Sequence, residues 1–193
     1  VIVATGSKHC LLGVPGEEEL NSRGVSYCAV CDGAFFRNKE VIVIGGNDSA
    51  IEEALYLSNL VSKVTVIHRR DELHAQKILR DRAFAKENIH FIWDSIPLEI
   101  KGERKVSSVE IRNVKTGEES SVSADGIFIY VGMLPQTEDF KTLGITNEAG
   151  YIPTNEKLET KVAGIFAAGD VREKEIRQVI TAASDGAIAA QSA

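Results

Sequence analysis

Two cysteines separated by two residues form the most reactive pattern in the sequence. Cys28 and Cys31 stand in the segment Cys-Ala-Val-Cys-Asp-Gly. Thiols at this spacing can close a small disulfide ring that is reduced and formed again, because thiol–disulfide exchange needs an attacking and a resolving thiol. Asp32 could donate a proton to the departing thiolate. Two other interpretations stay open for the cysteines, half of a zinc site or two unrelated buried residues. Taken alone, Asp32 fits better as a turn residue before Gly33.

A glycine-containing turn, Gly45 to Ala50, lies between a predicted strand and a predicted helix. Glycines at such a turn let the backbone approach a pyrophosphate, which then lies at the helix N-terminus. The usual fingerprint has glycine at the position of Asn47, and we expect asparagine to preserve the turn because it tolerates left-handed backbone. Ala50 takes the third position, where a small residue lets helix and strand pack closely. A plain tight turn is the alternative.

Basic residues follow the next predicted strand. His68, Arg69 and Arg70 come directly after residues 63–67. A dinucleotide with a free ribose hydroxyl calls for an acidic residue here, whereas arginine suits a 2′-phosphate. The pattern therefore predicts a site for a dinucleotide with a 2′-phosphate, with a basic surface patch at a strand end as the alternative.

A carboxylate also follows a predicted strand near the C-terminus. Asp170 comes after Gly169, at the end of the apolar run 165–168. Open α/β sheets bind ligands beyond the carboxyl ends of their strands, where an aspartate can accept a hydrogen bond from a sugar or ribityl hydroxyl. A turn or helix-capping aspartate is the alternative.

The elements that must position these residues follow from hydrophobic periodicity. Residues 40–44, 49–60 and 63–67 predict a strand, a helix and a second strand, which together form a βαβ unit. A charged amphipathic helix is predicted over 71–88. Alternation after residue 89 predicts an antiparallel meander, with strands over 96–101, 106–114, 118–123 and 127–131. The remaining predictions are strands over 1–5 and 165–168, a helix over 178–193, and linkers or turns over 13–24 and 134–135.

Composition excludes several classes of protein. The 193 residues are 44% hydrophobic and 26% charged, as in globular proteins, which excludes a disordered tail, collagen and a coiled coil. A net charge of −6 argues against a nonspecific nucleic-acid binder. Long apolar runs, a signal-peptide pattern and a disulfide framework are lacking, so we expect no membrane association and a cytoplasmic location. Because the chain begins inside a predicted strand and ends inside a predicted helix, we expect it to be a piece of a longer protein.

Taken together, these segments resemble the low-molecular-weight thioredoxin reductases, a family of flavoproteins. The resemblance covers essentially the whole chain and is most specific over 24–33, 52–57, 68–71 and 165–171. It implies an α/β fold, with a Rossmann-type NADPH-binding domain that carries an antiparallel β-meander, and a partial FAD-binding domain. By this pattern residues 1–12 and 135–193 belong to the FAD domain, and residues 13–134 form the NADPH domain with the redox cysteines.

The resemblance also implies a role for each matching position. Cys28 and Cys31 would be the disulfide that flavin reduces and that passes electrons to thioredoxin, with Asp32 as the acid–base residue. The positions implied for NADPH are Gly45, Gly46, Asn47, Ser49, Ala50, His68, Arg69, Arg70 and His74, the last of which replaces a further arginine. The positions implied for FAD are Ala4, Thr5, Gly6, Gly169, Asp170, Arg177, Gln178 and Val179. No metal is implied, and a full-length member would be a homodimer.

Three alternatives to this function remain. One is a related flavoprotein disulfide reductase that serves a peroxiredoxin or glutaredoxin-like partner. Another is a nucleotide-binding fragment that does no chemistry, and the third is a structural zinc domain. We expect these residues alone to be inactive, because the N-terminal glycine fingerprint that would hold the FAD pyrophosphate is not among them.

Overall fold

The computed structural model describes all 193 residues, which divide into two compact units. One unit consists of Val1–His9 and Gly132–Ala193, and the other of Cys10–Val131. Both boundaries lie three residues before the predicted ones, at 9 against 12 and at 131 against 134. The assignment of the units to FAD and NADPH stays a prediction.

The units contain twelve strands and four α-helices. The strands are β1 (Ile2–Val3), β2 (Ser7–His9), β3 (Val25–Ser26), β4 (Glu40–Gly45), β5 (Lys63–Ile67), β6 (Ile89–Ile92), β7 (Ser95–Lys101), β8 (Ser108–Asn113), β9 (Glu119–Ser123), β10 (Gly126–Tyr130), β11 (Met133–Pro135) and β12 (Phe166–Ala167). The helices are α1 (Ala29–Asp32), α2 (Asp48–Leu57), α3 (Lys77–Phe84) and α4 (Val179–Ser192). Short 3₁₀ helices lie at Gly33–Phe36, Glu138–Leu143 and Gly169–Val171. None of the helices has the length and hydrophobicity needed to cross a lipid bilayer.

A five-stranded parallel sheet, in the order β3-β10-β4-β5-β6, forms the frame of the Cys10–Val131 unit. Its central strands are continuous apolar runs because both faces of the sheet are covered. Val41 and Val43 belong to a core shared with α2 and α3. Ile42 and Ile44 belong to a second core that includes β7 and β8. The predicted βαβ unit is thus present as β4-α2-β5, and the α/β class is confirmed.

The predicted meander is correct for three strands and wrong for the fourth. Strands β7, β8 and β9 pair antiparallel, as expected. Residues 126–130 instead pair in parallel with β4, in the interior of the five-stranded sheet. Their sequence Gly-Ile-Phe-Ile-Tyr is apolar on both faces, and such a run suits a central parallel strand better than a half-exposed one.

The charged helix predicted over 71–88 is shorter in the structure. Only Lys77–Phe84 is helical. The backbone N–H groups of His74 and Gln76 donate to Gly46 O at 2.8 Å and to Asp48 Oδ1 at 2.7 Å. Because these donors are engaged with Gly46 and with the first residue of α2, the segment before Lys77 cannot continue the helix.

The segment predicted as a turn over 13–24 contains a buried acid. Glu17 is 1% exposed. Its carboxylate accepts hydrogen bonds from Leu12 N at 3.0 Å, Gly13 N at 2.8 Å and Tyr27 Oη at 2.9 Å. One of three successive glutamates therefore fastens this turn to the residue before Cys28.

The other unit is built from short strands and one long helix. Strand β1 pairs in parallel with β12, and β2 pairs antiparallel with β11. Residues 134–135, predicted to be a linker, lie in β11, where Leu134 pairs with Lys8. Proline is compatible with such an edge strand because it need not donate to a neighbour. Helix α4 closes the chain, as predicted from its small residues.

Candidate redox and nucleotide-binding sites

Cys28 and Cys31 form a disulfide at the start of helix α1. Their Cα atoms are 5.3 Å apart. Cys28 is the N-cap residue, and its Sγ accepts a hydrogen bond from Cys31 N at 3.2 Å. Cys28 is half-buried and Cys31 is exposed. The predicted pairing is confirmed, and no group of histidine, cysteine or acidic residues that could hold a metal ion is present.

The carboxylate of Asp32 is held beside the disulfide by a serine. Ser26 Oγ donates a hydrogen bond to Asp32 Oδ2 at 2.7 Å and accepts one from Cys28 N at 3.1 Å. Ser26 is 5% exposed and lies in β3, opposite Phe128 of β10. Sequence reasoning missed this serine because its position depends on that strand pairing.

A tyrosine that is distant in sequence holds the first residue of α1 by a hydrogen bond. Ala29 N donates to Tyr130 Oη at 2.6 Å. Ala29 is fully buried, so this contact satisfies a helix N-terminal amide that has no partner within the helix. Burial, reinforced by the Glu53 carboxylate, raises the pKa of the Tyr130 phenol well above its usual range, so the hydroxyl stays neutral. Sequence reasoning also missed Tyr130.

The glycine turn has no space for larger residues. A Cβ atom on Gly46 would lie 2.4 Å from the His68 ring, and one on Gly45 would lie 2.5 Å from Tyr130 O and 2.8 Å from the Ala50 Cβ. Gly45 also has a φ of +147°, which side chains rarely adopt. The expected close packing of helix and strand at Ala50 is therefore present.

Asn47 preserves the turn, but by a different route from the one expected. Its backbone is extended, with φ −88° and ψ 179°, and is not left-handed. Its side chain caps α2, because Oδ1 accepts a hydrogen bond from Ala50 N at 3.0 Å. The left-handed backbone expected for Asn47 is therefore wrong, and helix capping explains why asparagine suits this position.

The predicted basic residues gather at the end of β5. His68 is 8% exposed, and its Nε2 is buried without a hydrogen-bond partner. Burial, with the nearby His74 and Arg70, lowers the pKa of His68, so the ring is neutral at pH 7. Arg70 and His74 contact each other through Nη1 and Nε2, and both of them are exposed, as is Arg69. A charged arginine pair beside a neutral imidazole with a free nitrogen suits an anionic ligand that carries hydroxyl groups.

These residues line one cavity of about 560 Å³ at the carboxyl ends of β4, β5 and β10. Seven of the predicted NADPH positions line it, namely Gly45, Gly46, Asn47, His68, Arg69, Arg70 and His74. Ala50 is buried behind the turn, and Ser49 is exposed outside the lining. Residues that the sequence did not indicate complete the wall, namely Cys10, Leu11, Leu12, Ile44, Ile67, Ser95, Ile96, Pro97, Tyr130 and Val131. Its position at the strand ends is the usual one for a nucleotide in an open α/β sheet.

The positions predicted for FAD lie in the other unit, in three groups. In the first, Thr5 Oγ1 donates to Gln136 O at 2.6 Å, and Gln136 Nε2 donates to Thr5 O at 3.0 Å. Gly6 has a φ of +71° in the same turn, and Ala4 is exposed beside it. Ala4 and Thr5 are exposed despite these bonds, so this part of the loop is accessible to solvent.

The second group centres on the buried Asp185 of α4. Its carboxylate accepts hydrogen bonds from Gly169 N at 3.0 Å, Arg172 Nη1 at 2.7 Å and Lys174 Nζ at 2.9 Å. Burial opposes ionisation, but the bonds from Lys174 and Arg172 lower the pKa of Asp185 overall. Asp170 Oδ1 is buried without a hydrogen-bond partner, 4.0 Å from Lys174 Nζ. An acceptor oxygen is therefore available next to Gly169, whose N–H is bonded to Asp185.

The last three predicted FAD positions lie at the start of α4. The Arg177 guanidinium lies 4.4 Å from the centre of the Tyr151 ring, and its Nε is buried without a partner. Gln178 is the N-cap of α4, and its N–H donates to Thr181 Oγ1 at 3.2 Å. Val179 is 87% exposed.

Known proteins match along almost the whole chain. A model of the pyridine nucleotide-disulphide oxidoreductases matches residues 1–186. The chain belongs to this family. A thioredoxin reductase of Bacillus subtilis is 58% identical over 193 residues, which are 100% of this chain and 61% of that protein. The chain thus spans less than two thirds of this curated family member.

Solved structures of thioredoxin reductases are also similar to this chain in sequence and in fold. The thioredoxin reductase of Streptococcus pyogenes is 58% identical, with a TM-score of 0.90 over 98% of this chain and 62% of that one. That of Lactococcus lactis is 59% identical, with a TM-score of 0.78 over 98% of this chain and 63% of that one. The α/β fold and the family are therefore both established.

Proposed function

We propose that this chain is part of an NADPH-dependent thioredoxin-disulfide reductase, which passes electrons from NADPH through FAD to the Cys28–Cys31 disulfide and on to thioredoxin. The observation that carries the proposal is a disulfide in the same unit as a cavity suited to a phosphorylated dinucleotide. The names of the relatives support the choice of thioredoxin as the substrate.

Both the backbone and the charged side chains that line the nucleotide cavity suit NADPH. Gly45 and Gly46 let a pyrophosphate approach the start of α2, where backbone N–H groups favour an anion. Arg69 and Arg70 offer charge-assisted hydrogen bonds to a 2′-phosphate, while His68 Nε2 is a buried polar atom in need of a partner. We assign the Cys10–Val131 unit to NADPH on these grounds.

The other unit suits a flavin nucleotide. Asp170 Oδ1 and Arg177 Nε are both buried without partners, which is the state expected of groups that a ligand completes. Asp170 would accept a hydrogen bond from a ribityl hydroxyl, and Arg177, Gln178 and Val179 would lie near the ring. A bound flavin would supply the two-electron relay between NADPH and the disulfide.

The cysteines carry out the final exchange. Once the disulfide is reduced, one thiolate attacks the disulfide of the protein substrate and releases one substrate thiolate. The remaining cysteine then breaks the mixed disulfide, so that two electrons leave the pair and Cys28–Cys31 closes again. Asp32, oriented by Ser26, would deliver the proton that a departing thiolate needs.

The surroundings of the disulfide suit a protein substrate. Val30 is 54% exposed between the cysteines, and Phe35 is 75% exposed in the 3₁₀ helix that follows α1. Exposed apolar side chains around a reactive group favour a macromolecular partner. We extend the proposal to a cytoplasmic location, because the reducing environment there keeps thiols available. We also extend it to a homodimer of the full-length protein, as the family resemblance implies.

The proposal is tested on the protein at the full length of its relatives, loaded with FAD. NADPH consumption is followed with oxidised thioredoxin, and then with a glutaredoxin or a peroxiredoxin as the substrate. We expect turnover with thioredoxin that disappears in Cys28→Ser and in Cys31→Ser, with Cys10→Ser as the matched control that keeps it. Turnover with another partner only would refute the assigned substrate, and turnover that survives loss of either paired cysteine would refute the assigned chemistry.

A further inference from the structure

The first residue of α2 fastens a neighbouring loop to the glycine turn. Asp48 accepts a hydrogen bond from Gln76 N at 2.7 Å through Oδ1 and from Gln76 Nε2 at 3.0 Å through Oδ2. Two residues earlier, His74 N donates to Gly46 O at 2.8 Å. Three hydrogen bonds thus hold residues 74–76 against the turn before α2.

The fastened loop carries part of the basic wall of the cavity. His74 and Arg70 line the cavity together, and their side chains contact each other. Asp48 itself is not part of the lining. Any effect of Asp48 on a ligand in the cavity would therefore act through the loop and not through contact.

We propose that Asp48 is a positioning residue that sets the preference for NADPH over NADH by holding His74 and Arg70 at the place of the 2′-phosphate. The inference rests on the proposed NADPH site and adds a specificity determinant to it. Asp48 adjoins the glycine turn, yet its two carboxylate oxygens are turned toward Gln76.

The negative charge of Asp48 allows two effects of its replacement to be distinguished. Removal of a negative charge beside an anion site raises the affinity for anions, and for NADPH more than for NADH, because NADPH carries one more phosphate. Release of the loop has the opposite effect on this preference, because the 2′-phosphate loses its positioned partners. The sign of the change in the NADPH-to-NADH affinity ratio therefore separates positioning from simple electrostatics.

The experiment measures the dissociation constants of NADPH and NADH for this chain and for variants. The emission of Trp93 reports binding, since it is the single tryptophan and its ring centre lies 6.5 Å from that of His68. The variants are Asp48→Asn, Asp48→Ala and Gln76→Ala, the last of which leaves the charge unchanged. Asp81→Asn is the matched control, because Asp81 pairs with Lys77 on the exposed side of α3.

An arginine–phosphate contact contributes about tenfold or more to affinity, so partial loss of its positioning should lower the NADPH-to-NADH ratio at least about threefold in Asp48→Ala. Asp48→Asn and Gln76→Ala should lower it less, and Asp81→Asn should leave it unchanged. An unchanged or raised ratio in both Asp48 variants would overturn the inference while the NADPH site stands. No binding of either nucleotide to the unaltered chain would refute the site, and the inference with it.

Discussion

Replacing Tyr130 with phenylalanine removes one oxygen atom and keeps the aromatic ring that packs against the core of the Cys10–Val131 unit. The lost atom is the acceptor for Ala29 N, at 2.6 Å, in a residue that is fully buried. The strands and helices around it keep their other contacts. The variant therefore isolates one long-range hydrogen bond.

The expected magnitude follows from the amide that is left behind. A buried donor without a partner costs about 1–3 kcal/mol, and removal of a buried hydroxyl returns a part of this. We expect the free energy of unfolding of this unit to fall by about 1–2 kcal/mol. Since Ala29 lies between the cysteines in sequence, we also expect faster reduction of the disulfide by a small dithiol.

The assay is urea unfolding followed by Trp93 emission, with the disulfide intact. The matched control is Tyr56→Phe, which removes the hydroxyl of a tyrosine on α2 that is 37% exposed and should change stability by less than about 0.5 kcal/mol. If Tyr130→Phe changed stability no more than this control does, the bond to Ala29 would not hold α1, and the reasoning would fail.

Three further predictions concern the same unit. Gly46→Ala would place its Cβ 2.4 Å from the His68 ring, so we expect at least about tenfold weaker NADPH binding in a Trp93 titration, and unchanged binding would refute the close-packed turn. Because burial lowers the pKa of His68 below its ordinary 6.5, the unfolded state takes up the proton first, and the unfolding free energy should fall as pH drops below 6.5. The measurement compares the slope of stability against pH with that of His68→Gln, and equal slopes would contradict the assignment. Thiol counting on denatured protein should give one free thiol, from Cys10, rising to three after reduction of Cys28 and Cys31; three before reduction would exclude the disulfide in solution.

Several features of this protein could be predicted from the sequence because their causes are local. The spacing of Cys28 and Cys31 brings the sulfurs together at little cost in chain entropy. The apolar runs of β4 and β5 and the helical spacing of α2 determine the βαβ unit within fewer than about thirty residues, the length typical of this motif. Part of the requirement for glycine at the turn is local as well, because Ala50 lies five positions after Gly45 and His68 directly follows the next strand in sequence.

The tertiary structure decided the contacts between residues that are distant in sequence. Tyr130 meets Ala29 across 101 positions, and Asp48 meets Gln76 across 28. The strand pairing of residues 126–130 also depended on the tertiary structure. Their apolar sequence fits either a meander or a central parallel strand, and the parallel pairing with β4 decides between the two. Hydrophobic pattern determines which residues are buried. It does not determine which buried donor meets which acceptor, because these pairs depend on strand order and register. Strand order and register therefore decide which residues support the redox and nucleotide sites.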